Sequence, residues 1–451
     1  MSIFLDNWLL SRAHRVYCPI AGSTARSFGA GHLFDEMSIW RSTKRQSMET
    51  AVAGHEDRIS TLPDELLQYM MSFLLSRDAV RTCVLAKRWR ALWKSVPALR
   101  IGDIESYHSV HSFSRFVDEL LRLRDPAPMH ECEIRSNYMQ NNDEVFQSML
   151  LSIQYALSCQ VQVLRVSFRS HAENMTFVSS HLKSLKLCHI WFWDCSIDFS
   201  RCQVLEELEM ENCGIFENIF SPSLRHLNIN GGCTQSGSCT RISTPHLIGL
   251  KLGDFWGLTP LLDRMPSLVT ASITLGKDCR DLCYIYCGGN PKCTGCNGHP
   301  GNSNCSVVLE GLSGATNLEL TASHPNVFMF RNDLKWCPMF SKLKTLFLSD
   351  WCVVDDFIGL VSFLQHSPIL ETLTLDLHFG YPEHVMETDE RCNQKEQPLL
   401  LKHLKVVKII CQVKEDARFH RILKILRIHG VLSKQINIRI HGVLSKQINI
   451  Q

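Results

Sequence analysis

Leu182–Leu187 reads LKSLKL, and its spacing, apolar-x-x-apolar-x-apolar, returns as LEELEM at Leu205–Met210, LRHLNI at Leu224–Ile229 and LIGLKL at Leu247–Leu252. Working outward, the same spacing appears upstream at Val161-Leu164-Val166. Downstream it appears at Leu268-Ala271-Ile273, Ala315-Leu318-Leu320, Leu343-Leu346-Leu348, Leu370-Leu373-Leu375 and Leu404-Val407-Ile409. The middle residues follow one another at intervals of 19 to 34 residues, with one interval of 47. An alternating apolar pair is the signature of a strand with one buried face. No single unit can bury its apolar side alone, so about ten of them are expected to stack into one continuous core.

Intervals of this size are those of leucine-rich repeats, each giving one strand to a curved parallel sheet. The expected fold class is therefore α/β, a horseshoe-like solenoid with a parallel concave sheet spanning residues 161–426. Residues between the apolar ones should point to the concave face. That face is expected to carry a central column of Arg165, Lys186, Glu209, Asn228, Lys251, Ser272, Glu319, Phe347, Thr374 and Lys408. Glu207, Glu209 and Glu211 should share one outward strand face, with Lys186 and Lys251 one strand to either side. Such a patch reads first as an ordinary solvated surface, with a docking point for a basic segment of a protein substrate as the sharper alternative.

The chain has 451 residues, 45% apolar and 20% charged, the balance of a globular protein. Its formal net charge is +2, from 47 basic and 45 acidic residues. A chain that wraps phosphate backbone usually shows a strong basic excess, so no nucleic-acid partner is expected. No run approaches the ~18–20 apolar residues that span a bilayer, so no membrane partner is expected either. The apolar start Ile3–Leu5 stops at Asp6, and no secretory signal is read. A nuclear or cytoplasmic location is expected. Most of the 20 cysteines should then be reduced and behave as small buried apolar residues.

Residues 1–56 show no sustained period and read as a disordered leader or an extended gene-model start. An organelle transit peptide is a further reading. Residues 57–100 read as three short helices. Pro63 sits at a first helical position, followed by Asp64 and Glu65 in the first turn. The first helix should run to about Leu75. Ser76 should cap a second helix, and Trp89, Leu92, Trp93 and Val96 should line a third that Pro97 ends. These short helices hold more large apolar side chains than they can cover among themselves, which marks a partner surface or packing on the rest of the chain. Residues 101–160 contain amphipathic stretches, such as Phe113, Phe116, Val117, Leu120 and Leu121, and read as a helical linker or cap.

The segment DRISTLPDELLQYMMSFLLSRDAVRTCVLAKRWRALWKSVPAL, Asp57–Leu99, resembles an F-box. The features that carry the resemblance are Leu62-Pro63, Leu66-Leu67, Leu74, Asp78-x-Val80 and LAKRWRALW at Leu85–Trp93. Ala86 stands where relatives usually have a helix-capping Ser. FLQHSPILETLTLDL (Phe363–Leu377), LLLKHLKVVKI (Leu399–Ile409) and VVLEGLSGATNLEL (Val307–Leu320) resemble plant F-box/leucine-rich-repeat proteins. The first two resemble their F-box-associated, FBD-like C-terminal region, here about residues 360–426. The resemblance implies a substrate receptor of a cullin-RING ubiquitin ligase. The box would bind a Skp-type adaptor, and through it a cullin; the repeats would bind a protein substrate. A repeat scaffold working without the ligase is the alternative. Leu62, Pro63, Leu66, Met70, Leu74, Val80, Val84, Trp89 and Trp93 are the positions expected to divide between adaptor contact and box core. On the solenoid, Arg165, Lys186, Glu207, Glu209, Glu211, Lys251 and Phe347 are the substrate-facing candidates.

Six cysteines fall between Cys279 and Cys305, inside a Gly- and Asn-rich insertion at residues 277–306. Cys293, Cys296 and His299 are weak zinc candidates, because a second pair at matching spacing is missing. The insertion reads equally as a loop at the solenoid edge. Phosphate-binding, dinucleotide, zinc-protease and nucleophile-elbow motifs are all lacking. No catalytic activity and no cofactor are expected. Trp191, Phe192 and Trp193 read as core packing. Finally, RIHGVLSKQINI occurs at Arg427–Ile438 and again, letter for letter, at Arg439–Ile450, which implies a recent duplication or an assembly artefact in the tail 427–451.

Overall fold

A computed structural model describes residues 59, 61–102, 104–136, 143–172, 177–192, 197–215, 218–232, 240–280, 308–322, 334, 337–353, 357–377, 399–411 and 418–440. The chain divides into two compact units, residues 1–170 with 179–188, and residues 171–178 with 189–451.

The first unit opens on short helices. α1 spans Asp64–Met71 and begins directly after Pro63, whose carbonyl accepts from the Leu67 N–H at 3.2 Å. It stops four residues before the expected Leu75. Ser72 donates its hydroxyl to the Tyr69 carbonyl at 2.6 Å, a side-chain bond that competes with helix continuation. α2 spans Ser76–Arg81 and runs into a 3-10 turn at Thr82–Val84. Ser76 does not cap it: the residue lies inside the first turn, and its hydroxyl accepts from the Arg100 N–H at 3.1 Å. α3 is only Trp89–Leu92, followed by a 3-10 turn at Trp93–Ser95. Leu67, Met71, Val80, Trp89, Leu92, Trp93 and Val96 are buried between these elements and the strand that follows.

That strand, β1 (Ala98–Ile101), corrects the expected boundaries. With β2 (Glu131–Ser136) it lies upstream of residue 161; β1 pairs in parallel with β2, and β2 with β3 (Val163–Ala172). Residues 101–160 are therefore not a cap alone. The amphipathic stretches form α4 (Val110–Leu123), capped by the Ser109 hydroxyl, and α5 (Asp143–Ser158), and each returns the chain to the next strand. Leu99, Cys132 and Leu164 stand in register, as do Ile101, Ile134 and Val166. The repeat spacing is present upstream as Val96-x-x-Leu99-x-Ile101 and Met129-x-x-Cys132-x-Ile134. Cys and Met stand there in leucine positions, and all six residues are buried. β4 (Ser184–Phe192) begins in the first unit and ends in the second.

In the second unit the chain alternates between two parallel sheets. The main sheet takes β6 (Glu207–Glu211), β9 (His226–Asn230), β11 (Gly249–Leu258) and β13 (Thr270–Arg280). It continues through β14 (Asn317–Ala322), β15 (Thr345–Ser349), β16 (Thr372–Leu377), β17 (Val406–Cys411) and β18 (Ile436–Ile440), in that order. The smaller sheet has the order β12-β10-β8-β5, from Leu261–Leu262, Arg241–Ser243, Ile219–Phe220 and Ile197–Asp198. β7 (Gly214–Ile215) pairs with the Trp191-Phe192 end of β4, and Phe192 is buried.

Interval length decides what returns the chain. Repeats 19 to 23 residues apart leave room only for a two- or three-residue strand, and these build the smaller sheet. Among the described residues three of the wider intervals return through helices, namely α6 (Leu309–Leu312), α7 (Ile358–His366) and α8 (Arg418–Ile428). A parallel pair needs a crossover of a dozen residues or more, which every interval supplies. The register never slips at the middle positions: Leu208, Leu227, Leu250, Ala271, Leu318, Leu346, Leu373, Val407 and Ile436 stand opposite one another in turn. All are buried.

Four short repeats also share a turn. His189, Asn212, Gly231 and Asp254, each two residues past the second residue of the apolar pair (Leu187, Met210, Ile229 and Leu252), have φ of 61°, 51°, 63° and 46°. Asn, Asp, His and Gly tolerate this left-handed region better than branched residues do. The turns are tied together, since Asn212 N–H donates to the Asn230 carbonyl and Gly231 N–H to the Gly253 carbonyl, both at 2.8 Å. Farther on, Arg418 at the start of α8 donates to Asp350 at 2.7 Å, and both side chains are buried.

β13 carries the chain to Arg280, into the segment read as an insertion. Residues 281–307 lie outside the described residues, and so do the zinc candidates Cys293, Cys296 and His299. The tail is likewise not one piece. The first copy of the duplication supplies the end of α8 and most of β18, whereas residues 441–451 lie outside the described residues. The leader, residues 1–56, also lies outside them. Among the described residues no helix is long and apolar enough to cross a membrane.

Candidate functional site

Two surfaces stand out, one on the short helices and one on the main sheet. α1 buries Leu67 and Met71 and turns its opposite side to solvent. There Leu66 is 49% exposed, Tyr69 57% and Phe73 55%, at helical spacing i, i+3 and i+7. The Tyr69 and Phe73 rings meet edge to face with centroids 5.0 Å apart. Leu75 is exposed beside them. So much aromatic and aliphatic surface on one short helix and the turn after it exceeds the scattered apolar exposure that is ordinary for a folded protein.

The nine residues expected to divide between contact and core differ in burial. Pro63 and Leu66 are exposed; Leu62, Met70, Leu74 and Val84 are half-buried; Val80, Trp89 and Trp93 are buried. The last three hold the helices together and present little surface to a partner. Tyr69 and Phe73 were absent from the set. The signal that finds them is their spacing from Leu66, which puts all three on the face opposite Leu67 and Met71. Ala86 is exposed, and its carbonyl accepts the Trp89 N–H at 3.1 Å, so the turn into α3 closes through backbone alone. Burial pushes the Cys83 thiol beneath these helices up to about 11, which keeps it protonated and inert.

The helices are fastened to the sheet by Arg100 on β1. Its Nε donates to the Ser72 carbonyl at 2.8 Å and its N–H to Ser76, while its guanidinium pairs with Glu131 at 2.8 Å and with Glu133. Glu131 also pairs with Arg165, and Glu133 with Arg135. Arg77 on α2 adds a second tie, donating to the Ser106 carbonyl at 2.7 Å and lying over the Tyr107 ring.

On the main sheet, register places the expected column in rows. In the first unit Arg165 stands opposite Glu133 and next in line from Arg100. In the second, Glu209, Asn228, Lys251, Ser272, Glu319, Phe347, Thr374, Lys408 and Asn437 stand in succession. Glu207, Lys251, Glu319 and Lys408 are exposed, and Glu209, Glu211 and Phe347 half-buried. Two expectations change. Lys251 is two strands from Glu209, with Asn228 of β9 between them, so it does not border the three glutamates. Arg165 is engaged by Glu131 and not free for a ligand. Lys186 lies in the half of β4 that belongs to the first unit and is half-buried.

Beyond the column, Thr274 and Thr321 share a hydroxyl hydrogen bond at 2.6 Å, and Lys405 and Lys344 flank Glu371. The hydrogen bond and charge of Lys405 hold the Glu371 carboxyl below its ordinary value. The face is thus hydroxyl- and amide-rich with both signs of charge, suited to a folded or extended protein surface rather than to a polyanion. Among the described residues no group of three or more His, Cys, Asp or Glu is placed to hold a metal ion.

No family model matches the chain. An F-box/LRR-repeat protein of Arabidopsis thaliana is 28% identical over 383 residues, covering 74% of this chain and 95% of its own length. Another F-box/LRR-repeat protein of that plant is 31% identical over 49% of this chain and 82% of its own length. An F-box/FBD/LRR-repeat protein of the same species is 34% identical over 30% of this chain and 31% of its own length.

Proposed function

The chain belongs to the family of plant F-box/leucine-rich-repeat proteins, and from that premise we propose that it is the substrate-receptor subunit of a cullin-RING ubiquitin ligase. The exposed face of α1 binds a Skp-type adaptor, and the outward face of the main sheet binds a protein substrate. The chain makes and breaks no bond itself. It raises the effective concentration of a substrate lysine beside a charged ubiquitin-carrying enzyme. The observation that carries this reading is the half-exposed set Leu66, Tyr69 and Phe73, on α1 and the turn after it, within the segment that resembles an F-box. An aromatic anchor buried at an interface contributes about 2 kcal/mol or more.

The test is co-expression with a plant Skp-type adaptor. The wild-type chain is expected to capture it. Leu66→Ala with Phe73→Ala should cut capture by at least tenfold while leaving the thermal unfolding midpoint unchanged, since these side chains contribute little to the core. Capture that survives the double substitution, or a folded wild-type chain that captures nothing, overturns the reading and leaves the sheet as a free-standing binding module.

A further inference from the structure

The middle row of the outward face carries three charges that the fold does not use. Lys251, Glu319 and Lys408 are exposed, and among the described residues none of the three side chains has an ion-pair or hydrogen-bond partner. By contrast Glu371, just before β16, is held by Lys344 and Lys405. Along the row Lys251 stands two strands from Glu319, Glu319 one strand from Phe347, and Phe347 two strands from Lys408. Gly249 and Gly253 flank Lys251 on β11, so the lysine is the side chain that this stretch presents outward. Phe347 is half-buried, and the other outward positions of β13 to β16 carry hydroxyl, amide or carboxylate groups. A ring inside a polar rim has the form of an interface anchor.

We propose that the substrate segment docking on this row is an α-helix laid across the strands. It presents an acidic residue at i to Lys251, a basic residue at i+7 to Glu319, an apolar residue at i+11 to Phe347 and an acidic residue at i+18 to Lys408. The same four stand in reverse order when the helix runs the other way. The proposal rests on reading the main sheet as the substrate-binding face. Spacing selects the helix. Strands about 4.8 Å apart set the four side chains at steps of about 9.6, 4.8 and 9.6 Å. On a helix rising about 1.5 Å per residue, positions i, i+7, i+11 and i+18 lie within about 20° of one line, at steps of about 10.5, 6 and 10.5 Å. Each step differs from the sheet by about 1 Å, which flexible lysine and glutamate side chains absorb. An extended segment shows same-face side chains about 6.8 Å apart and misses the steps by about 2–3 Å. The alternating signs then fix register, since sliding the helix by one strand sets its charges against Ser272, Phe347 or Thr374.

Fluorescence-anisotropy titration of the full-length chain with labelled synthetic peptides tests this. The matched probes are Ala-rich helical peptides carrying Glu, Lys, Leu and Glu at the four positions, in forward and in reverse order. One control swaps every charge. Another keeps the four side chains but places a proline midway, which breaks the helix. One matched peptide is expected to bind at least tenfold more tightly than either of its controls. Phe347→Ala should weaken it about tenfold, and Glu319→Lys should make the chain prefer an acidic residue at i+7. Glu319 is exposed, so that variant is expected to keep the thermal unfolding midpoint of the wild type. Controls that bind as well as the matched peptides, no saturable binding of either matched peptide, or an unchanged preference in folded Glu319→Lys overturns the proposal. Adaptor capture separates the two readings. A chain that captures the adaptor but fails these titrations loses the helix alone, and one that binds the matched peptide but captures no adaptor loses the ligase reading alone.

Discussion

His429 is a residue whose environment and chemistry disagree. It is 3% exposed, neither ring nitrogen has a hydrogen-bond partner among the described residues, and burial lowers its pKa. It therefore sits neutral in the native state. Below the unfolded value of about 6.5 the unfolded chain takes up a proton that the native chain refuses, so stability is complete above that pH and falls as pH drops through it. The slope is at most about 1.4 kcal/mol per pH unit. Urea midpoints at pH 7.5 and 5.5 should therefore differ more for the wild type than for His429→Leu; equal differences would remove His429 as the cause. At this scale the sequence was legible where a side chain acts alone, as Pro63 does in starting α1. It was not legible where the side chain is diverted by a distant partner. Ser76 reads as a cap, but its hydroxyl is spent on Arg100, 24 residues away.

At the scale of elements, the strands announce themselves and their returns follow from spacing. The apolar pair sets each strand's buried face, and the interval decides whether a helix or a short strand brings the chain back. β2 escaped the pattern because Cys132 and Met129 occupy leucine positions, whereas β1 keeps the spacing but begins it at Val96, which also fits the helical stripe of Trp89, Leu92 and Trp93; burial holds the Cys132 thiol up at about 12, so it behaves as a small apolar residue. The junction of helices and sheet rests on Arg100, which no local pattern marks. Arg100→Met removes the hydrogen bond to the Ser72 carbonyl and the two ion pairs to Glu131 and Glu133 at a site that is mostly buried. A loss of about 2–3 kcal/mol in unfolding free energy is expected by chemical denaturation. A loss under about 0.5 kcal/mol would put the junction's strength in the apolar contacts alone.

At the scale of the whole molecule, the box and the repeats share a stretch of chain, and the boundary at residue 100 cuts through it. Removing residues 57–100 deletes most of β1 with Arg100 and bares the edge of β2. An unpaired edge beside exposed core is a template for association. A chain lacking 57–100 is therefore expected to elute as aggregate in size-exclusion chromatography, whereas Leu66→Ala with Phe73→Ala elutes as the wild type does. A monomeric, folded truncation would show that β1 is dispensable.

The sequence by itself determined the parallel repeat architecture, the register of the buried positions and the identity of the outward column. All three follow from a local period that each strand carries in its own residues. Only the tertiary structure decided where the sheet begins, which apolar residues of the short helices are spent on the core, and which charges face outward unpaired. Those outcomes depend on partners far apart in the chain: Arg100 with Ser72 and Glu131, Arg165 with Glu131, Arg418 with Asp350. A period reports which side of an element is apolar; what that side meets is set by packing, which a one-dimensional pattern does not contain.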